Sequence, residues 1–170
     1  GAAASAGTRY RYRIDGTRAL PRSALGMAAR RPHGDSVVVD HGAFAWRDAA
    51  FVPRPLSEAV LYELHVGTFT PGGTYAAAAE KLETLRDLGI THVELMPLAA
   101  FPGTRGWGYD GVDLYAPHPA YGAPDELKAF IDRAHLLGLA VILDVVYNHF
   151  GPDGNYLAQF GPYFTDRFKT

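Results

Sequence analysis

The chain has 170 residues, 48% hydrophobic and 20% charged, with a formal net charge of -2, which is the size and make-up of about one globular domain. So weak an acidic balance excludes electrostatic attraction to nucleic acid or an anionic membrane as the basis of function. The lack of any cysteine excludes disulfides and thiolate-held metal.

No run approaches the ~18 apolar residues of a membrane helix. The start, GAAASAG, lacks both the basic region and the apolar run of a signal peptide, so a soluble, cytoplasmic protein is expected. A first residue of Gly and an end in YFTDRFKT read as cuts at both termini. Charge divides the chain near Pro55. Residues 1–56 carry 9 Arg against 4 Asp, whereas residues 57–170 carry 7 Lys and Arg against 14 Asp and Glu. Two domains are therefore expected, 1–55 and 56–170.

In the first, Tyr10, Tyr12 and Ile14 alternate with Arg9, Arg11 and Arg13, a period of two that predicts a half-buried antiparallel strand ending at an Asp15-Gly16 turn. Its arginines read as a solvated face. A second short strand is predicted over 36–40. The segment FVPRPLSEA, with Pro53 and Pro55, has the composition of a linker.

Beyond it the pattern changes. Residues 60–66 read as a strand, and after the PGGT turn Tyr75, Ala79, Leu82, Leu85 and Leu88 share one helical face closed by Gly89. Residues 90–95 form a second predicted strand. A helix over 124–137 opens with Pro and acidic residues, aligns Leu127, Phe130, Ile131, Ala134 and Leu137, and closes at Gly138. Residues 139–146 are a nearly continuous apolar run, the mark of a strand covered on both faces. This alternation predicts an α/β fold with parallel strands and right-handed crossovers. HVGTFTPGGT has neither the G-x-G-x-x-G spacing of a dinucleotide-binding turn nor the Lys of a P-loop, so an eight-stranded barrel is preferred.

Function in a barrel collects at the carboxyl ends of its strands. The connection 97–124 is too long for a simple link, and the third strand leads into DVVYNHFGPDGNY. Trp107, Tyr109 and Tyr115 could pack flat on a pyranose ring, and Asp144, Asn148 and His149 could bond its hydroxyls. The alternatives are structural: Trp107 and Tyr115 as loop anchors, and His149 as a brace of its own turn. Asp144 lies in an apolar run and requires a cation or donor as partner. Glu63 and Glu94 also stand within strands. None of the seven His falls at a close ligand spacing, so no transition-metal site is expected, and Asn148 with Asp153 would join a calcium site only with ligands from elsewhere.

These stretches resemble a known family. LDVVYNH (143–149) is similar to the first signature region of the alpha-amylase superfamily of glycoside hydrolases, and WGYD (107–110) to the segment after the second barrel strand that supplies a sugar-stacking Tyr. YELHVGTFT (62–70), the FPG insertion before WGYDGV and the HFGPDGNYL tail look like the trehalohydrolase branch of that superfamily, while branching and debranching enzymes share the rest. YRYRIDG, LP and HGDSVVVD resemble the end of the immunoglobulin-like domain that precedes the barrel there. Two departures touch the domain junction: Arg22 and Ser23 stand where Asp and Pro are usual after LP, and Phe51 where Trp is frequent.

The resemblance implies the first three βα units of a (β/α)8 TIM barrel behind the end of an immunoglobulin-like β-sandwich. It implies that Tyr109 stacks on the sugar at the cleavage subsite, that His149 bonds that sugar's primary hydroxyl, and that Asp144 is the buried acid orienting an Arg further along the chain. Trp107 joins them as a substrate-binding residue. The nucleophilic Asp, general-acid Glu and a third Asp belong to strands expected beyond Thr170, so no catalytic residue is assigned here, and Glu63 and Glu94 match no catalytic position. The implied substrate is maltooligosyl trehalose or a related alpha-1,4-glucan, with no cofactor, nucleic acid or membrane partner. A non-catalytic carbohydrate-binding homologue is the alternative.

Overall fold

A computed structural model describes residues 4–16, 19–20, 32–165 and 167. Near the start, β1 (Arg9–Tyr10), β2 (Tyr12–Arg13), β3 (Ala19–Leu20) and β4 (Ser36–Val37) form two antiparallel pairs, β1 with β4 and β2 with β3. The single strand predicted over 9–14 is thus two strands with different partners. Arg11 separates them and turns its guanidinium away, with Nε donating to Asp35 Oδ1 at 2.6 Å and Nη2 to the His33 carbonyl at 3.1 Å. The predicted turn is present, Asp15 and Gly16 having φ of 47° and 75°. Pro21, Arg22 and Ser23 lie outside the described residues.

The second part opens with β5 (Leu61–Leu64), followed by a helical turn α1 (Val66–Phe69), then α2 (Tyr75–Ala79) and α3 (Leu82–Asp87). β6 (His92–Leu95) leads to a hairpin of β7 (Ala99–Ala100) and β8 (Asp113–Pro117), then α4 (Pro124–Leu136) and β9 (Ala140–Leu143). The hairpin accounts for the unusual length of the second connection. β5, β6 and β9 form a parallel sheet in that order, with Leu64, Leu95 and Leu143 in one register row.

The helix predicted across 75–88 is broken, because Lys81 N–H bonds the Ala78 carbonyl at 3.0 Å and this three-residue closure tightens the turn. Thr74 Oγ1 caps α2 by accepting from Ala77 N–H at 3.2 Å. The buried face is Tyr75, Ala78, Leu82 and Leu85. Leu88, placed on that face by periodicity, is 72% exposed because it ends α3 just before Gly89, whose φ is 90°. α4 keeps its predicted face: Phe130 and Ala134 are buried, and Leu127, Ile131 and Leu137 pack against the same core. Glu126 accepts from Ala123 N–H at 2.6 Å at its start.

Side chains alternate across a strand. Leu64, Val93, Leu95 and Val141 therefore point toward the helices and join the core, while Glu63, Glu94 and Ile142, level with one another in register, occupy the opposite face. Among the described residues the run 139–146 is not covered on both faces: it pairs through β9 at a sheet edge, leaving Leu143 and Val145 about half exposed.

The stretch read as a linker is fastened at its near end. Arg47 donates to the buried Asp132 of α4 from its backbone N–H at 2.7 Å and from Nε at 2.8 Å. Burial works to raise the Asp132 pKa, but these bonds and the guanidinium charge outweigh it and hold the carboxyl below its ordinary value. His135 Nδ1–H donates to Asp48 at 2.6 Å, and Phe51 stacks on the same imidazole at 4.0 Å and 5°. Phe51 thus has a flat partner in the His135 imidazole.

Candidate sugar-binding site at the carboxyl ends of the parallel strands

The site is built by two connections pressed together. Asp144 extends the pairing of β9 by one residue, its N–H bonding the Leu95 carbonyl at 2.9 Å, which puts its side chain on the face that carries Glu63 and Glu94. Tyr109 approaches from the β6 connection and donates its hydroxyl to Asp144 Oδ2 at 3.1 Å. His149, from the β9 connection, lies 2.9 Å from the Tyr109 carbonyl through Nε2. A carbonyl only accepts, so Nε2 carries the proton.

Two glycines allow this approach. A Cβ on Gly108 would stand 2.2 Å from the Pro97 carbonyl oxygen, and one on Gly151 would stand 2.2 Å from that of Asp110. Gly108 also has φ of 91°, a region costly for residues with a Cβ. A side chain at Gly151 would drive the two connections apart, and one at Gly108 would open the fold of the β6 connection on itself.

The hydrogen bond to Asp144 is the first cause that pushes the Tyr109 pKa above its ordinary value; burial and the charges of Asp144, Glu63 and Glu94 add to it. The phenol therefore stays a donor at neutral pH. Three sequence-identified residues, Tyr109, Asp144 and His149, thus meet directly. The partner required by Asp144 is a hydroxyl donor, and His149 braces the neighbouring connection rather than its own turn.

Trp107 and Tyr115 are 75% and 55% exposed. Tyr115 stands on β8, and Trp107 faces a cavity shared with His65. Asn148 is exposed. Asp153 accepts from His33 Nε2–H at 2.7 Å, and His33 Nδ1 accepts from the Tyr156 hydroxyl at 2.6 Å, so that carboxylate is committed to the first part of the chain. No group of three or more His or acidic residues suited to hold a metal occurs among the described residues.

His65 and Tyr121 escaped the sequence reading. His65 follows β5 directly, the strand-end position where barrel sites collect, and that position was its available signal. Asp113 and His118 are buried without use in this cluster. Burial pushes Asp113 up to about 8 and His118 down to about 4, and the His118 ring stacks on Phe101 at 3.7 Å.

The model of the alpha-amylase catalytic domain matches residues 31–163. The chain belongs to the alpha-amylase family. A malto-oligosyltrehalose trehalohydrolase of Deinococcus radiodurans is 54% identical over 165 residues, covering 96% of this chain and 27% of the relative. A 1,4-alpha-glucan branching enzyme of Vibrio cholerae is 39% identical over 170 residues, covering 91% and 23%. Among solved structures, a Salmonella typhimurium protein titled as an alpha amylase superposes with a TM-score of 0.89 at 48% identity, covering 98% of this chain and 29% of that one. The chain thus spans about a quarter of the length of the relatives it matches. Its three parallel strands have the alpha-amylase catalytic-domain fold, and the Tyr109, Asp144 and His149 cluster lies within the matched residues.

Proposed function

We propose that this chain is the sugar-binding end of a retaining glycosidase that cleaves the alpha-1,4 bond beside the terminal trehalose of maltooligosyl trehalose and releases trehalose. The observation that carries the reading is the Tyr109, Asp144 and His149 cluster at the strand ends, in a chain 54% identical to a protein named for that reaction. In this reading 56–170, with β5, β6 and β9, is the N-terminal part of a (β/α)8 barrel, and 1–55 end an immunoglobulin-like domain.

Each residue has a role that its geometry permits. The Tyr109 ring, 40% exposed, offers a face to the pyranose at the cleaved bond while its hydroxyl is held by Asp144. His149 spends its Nε2 proton on the Tyr109 carbonyl, which leaves Nδ1 to accept from the sugar's primary hydroxyl. The second oxygen of Asp144 receives an Arg from the next strand, which in turn keeps a nucleophilic Asp ionised. The nucleophile and a general-acid Glu lie on the fourth and fifth strands, with carboxyls about 5 Å apart as a covalent glycosyl-enzyme intermediate requires. Glu63 and Glu94 take no chemical part. No cofactor enters, and a cytoplasmic location suits a cysteine-free chain.

The test is trehalose release from maltotriosyl trehalose by the complete enzyme, with the anomer followed by NMR. Retained configuration supports the reading. The 39% identity to a branching enzyme favours a second one, identified by glucan transfer in place of hydrolysis, whereas binding without turnover would mark a carbohydrate-binding homologue.

A further inference from the structure

The turn at Pro32, His33, Gly34 and Asp35 leads into β4, whose Ser36 is buried. Arg11 holds this turn, its guanidinium donating to Asp35 Oδ1 at 2.6 Å and to the His33 carbonyl at 3.1 Å. With its own carbonyl and the following strand both held, His33 reaches the β9 connection with its ring. There Nε2 carries the proton and donates to Asp153 Oδ1 at 2.7 Å, since a carboxylate only accepts, and Nδ1 accepts from the Tyr156 hydroxyl at 2.6 Å.

Backbone packing makes the same junction. Gly154 has φ of 87°, and a Cβ there would stand 2.3 Å from the Pro32 Cβ, so a side chain at this position would part the turn from the connection. Nearer the strand, Gly151 donates its N–H to the Gly111 carbonyl at 3.2 Å. The segment 149–156 is therefore held at Gly151 by the β6 connection and at 153–156 by the first part of the chain, and His149 stands two residues before the first hold and four before the second. The side chains of His33 and Asp153 are 52% and 62% exposed, and an ion pair so open to water contributes little stability. What the imidazole fixes is direction, because bonds to two residues three positions apart set the angle of the connection as well as its distance.

We propose that His33 is a positioning residue of the sugar site: through Asp153 and Tyr156 it keeps the β9 connection at the angle that brings His149 Nε2 within 2.9 Å of the Tyr109 carbonyl and leaves Nδ1 for the sugar. The first part of the chain thereby contributes to turnover without touching substrate. A shift of about 1 Å in a group that bonds the reacting sugar can cost up to about 100-fold in rate, so a contact of little weight in stability has weight in kcat. This rests on the proposed function for the role of His149.

The experiment is a double-mutant cycle in the complete enzyme with maltotriosyl trehalose as substrate, comparing the parent, His33→Ala, His149→Ala and the double variant. His33→Ala should lower kcat about tenfold with KM changed less than about threefold and with little change in melting temperature. In the His149→Ala background the same substitution should cost less than about twofold, because the group it positions is gone. His33→Gln, which keeps a donor for Asp153, should recover most of the rate. Tyr156→Phe removes one of the two bonds while keeping the ring, and it reads the same coupling should His33→Ala fail to fold. An equal loss in both backgrounds, or an unchanged kcat, would overturn the proposal. A parent that releases no trehalose would sink the proposed reaction instead, and imidazole 15N NMR of the free enzyme then decides the positioning role. His149 should hold its proton on Nε2 in the parent and move toward a mixture of tautomers in His33→Ala, whereas identical His149 signals in the two would refute that role.

Discussion

The phenol of Tyr109 donates to the carboxylate of Asp144 across 3.1 Å, although the two residues lie 35 positions apart on different connections. The bond does two things at once. It gives Asp144 a donor at the end of an apolar strand, where an unpartnered carboxylate is costly, and it anchors the far end of the Tyr109 side chain. His149 then closes the group from the backbone side.

If this cluster receives the sugar, Tyr109→Ala and His149→Ala should each lower kcat/KM of the complete enzyme by roughly 2–4 kcal/mol of transition-state stabilisation, the scale of one preorganised group. Both residues are exposed, so melting temperature should change little. Near-normal kinetics in both variants would return them to purely structural roles.

The Arg47 clasp should matter to stability instead. Arg47→Ala leaves a carboxylate that is 1% exposed with only the backbone N–H of residue 47, and an under-satisfied buried group costs about 1–3 kcal/mol. Because the folded pKa of Asp132 is depressed, its contribution is present above the ordinary carboxylate value and is lost as pH falls through the folded one. The parent should therefore show more acid destabilisation than Arg47→Ala over that interval. Chemical denaturation at several pH values measures it.

Much of the architecture was legible because periodicity records one-sided burial. Phe130 and Ala134 sit where the helical period put them, and β6 and β9 fall within their apolar runs. The break between α2 and α3 was not legible, since a three-residue closure at Lys81 leaves no mark in a chain of good helix formers. Nor was the cover on Leu143, which depends on neighbouring strands rather than on its own neighbours in sequence. Tyr109, Asp144 and His149 were found through their positions after strands and through family resemblance. His65 and Tyr121 meet at one carbonyl oxygen, that of Gly106, and such a contact has no sequence pattern.

Expressed by itself, the 170-residue chain should bind sugar weakly at best and release no trehalose above a buffer blank, because binding groups without a nucleophile and acid leave the bond intact. It should also associate. β5 and β9 each lack a second neighbour in the described sheet, Leu61 and Tyr62 are exposed beside one edge and Leu143 and Val145 beside the other, and unpaired apolar edges invite pairing with other chains. Light scattering during thermal melting checks this, and a sharp cooperative transition from a monodisperse monomer would contradict it.

Asp113 supplies the most specific pH prediction. The residue is 3% exposed and its Oδ2 has no hydrogen-bond partner among the described residues, so burial raises its pKa from 3.8 to about 8. In the interval between these values the folded protein holds a proton there that the unfolded chain has released, and stability must fall as pH rises. The contribution is complete below about pH 4 and gone above about pH 8, a span worth a few kcal/mol. Asp113→Asn removes the titration while keeping the shape, so the unfolding free energy of the complete enzyme should lose this slope between pH 5 and 8, as about one proton fewer released on unfolding near pH 6. Denaturant titrations of parent and variant at matched pH read the difference directly. Parallel pH profiles would mean that a cation from elsewhere in the complete enzyme reaches Asp113 and keeps it ionised.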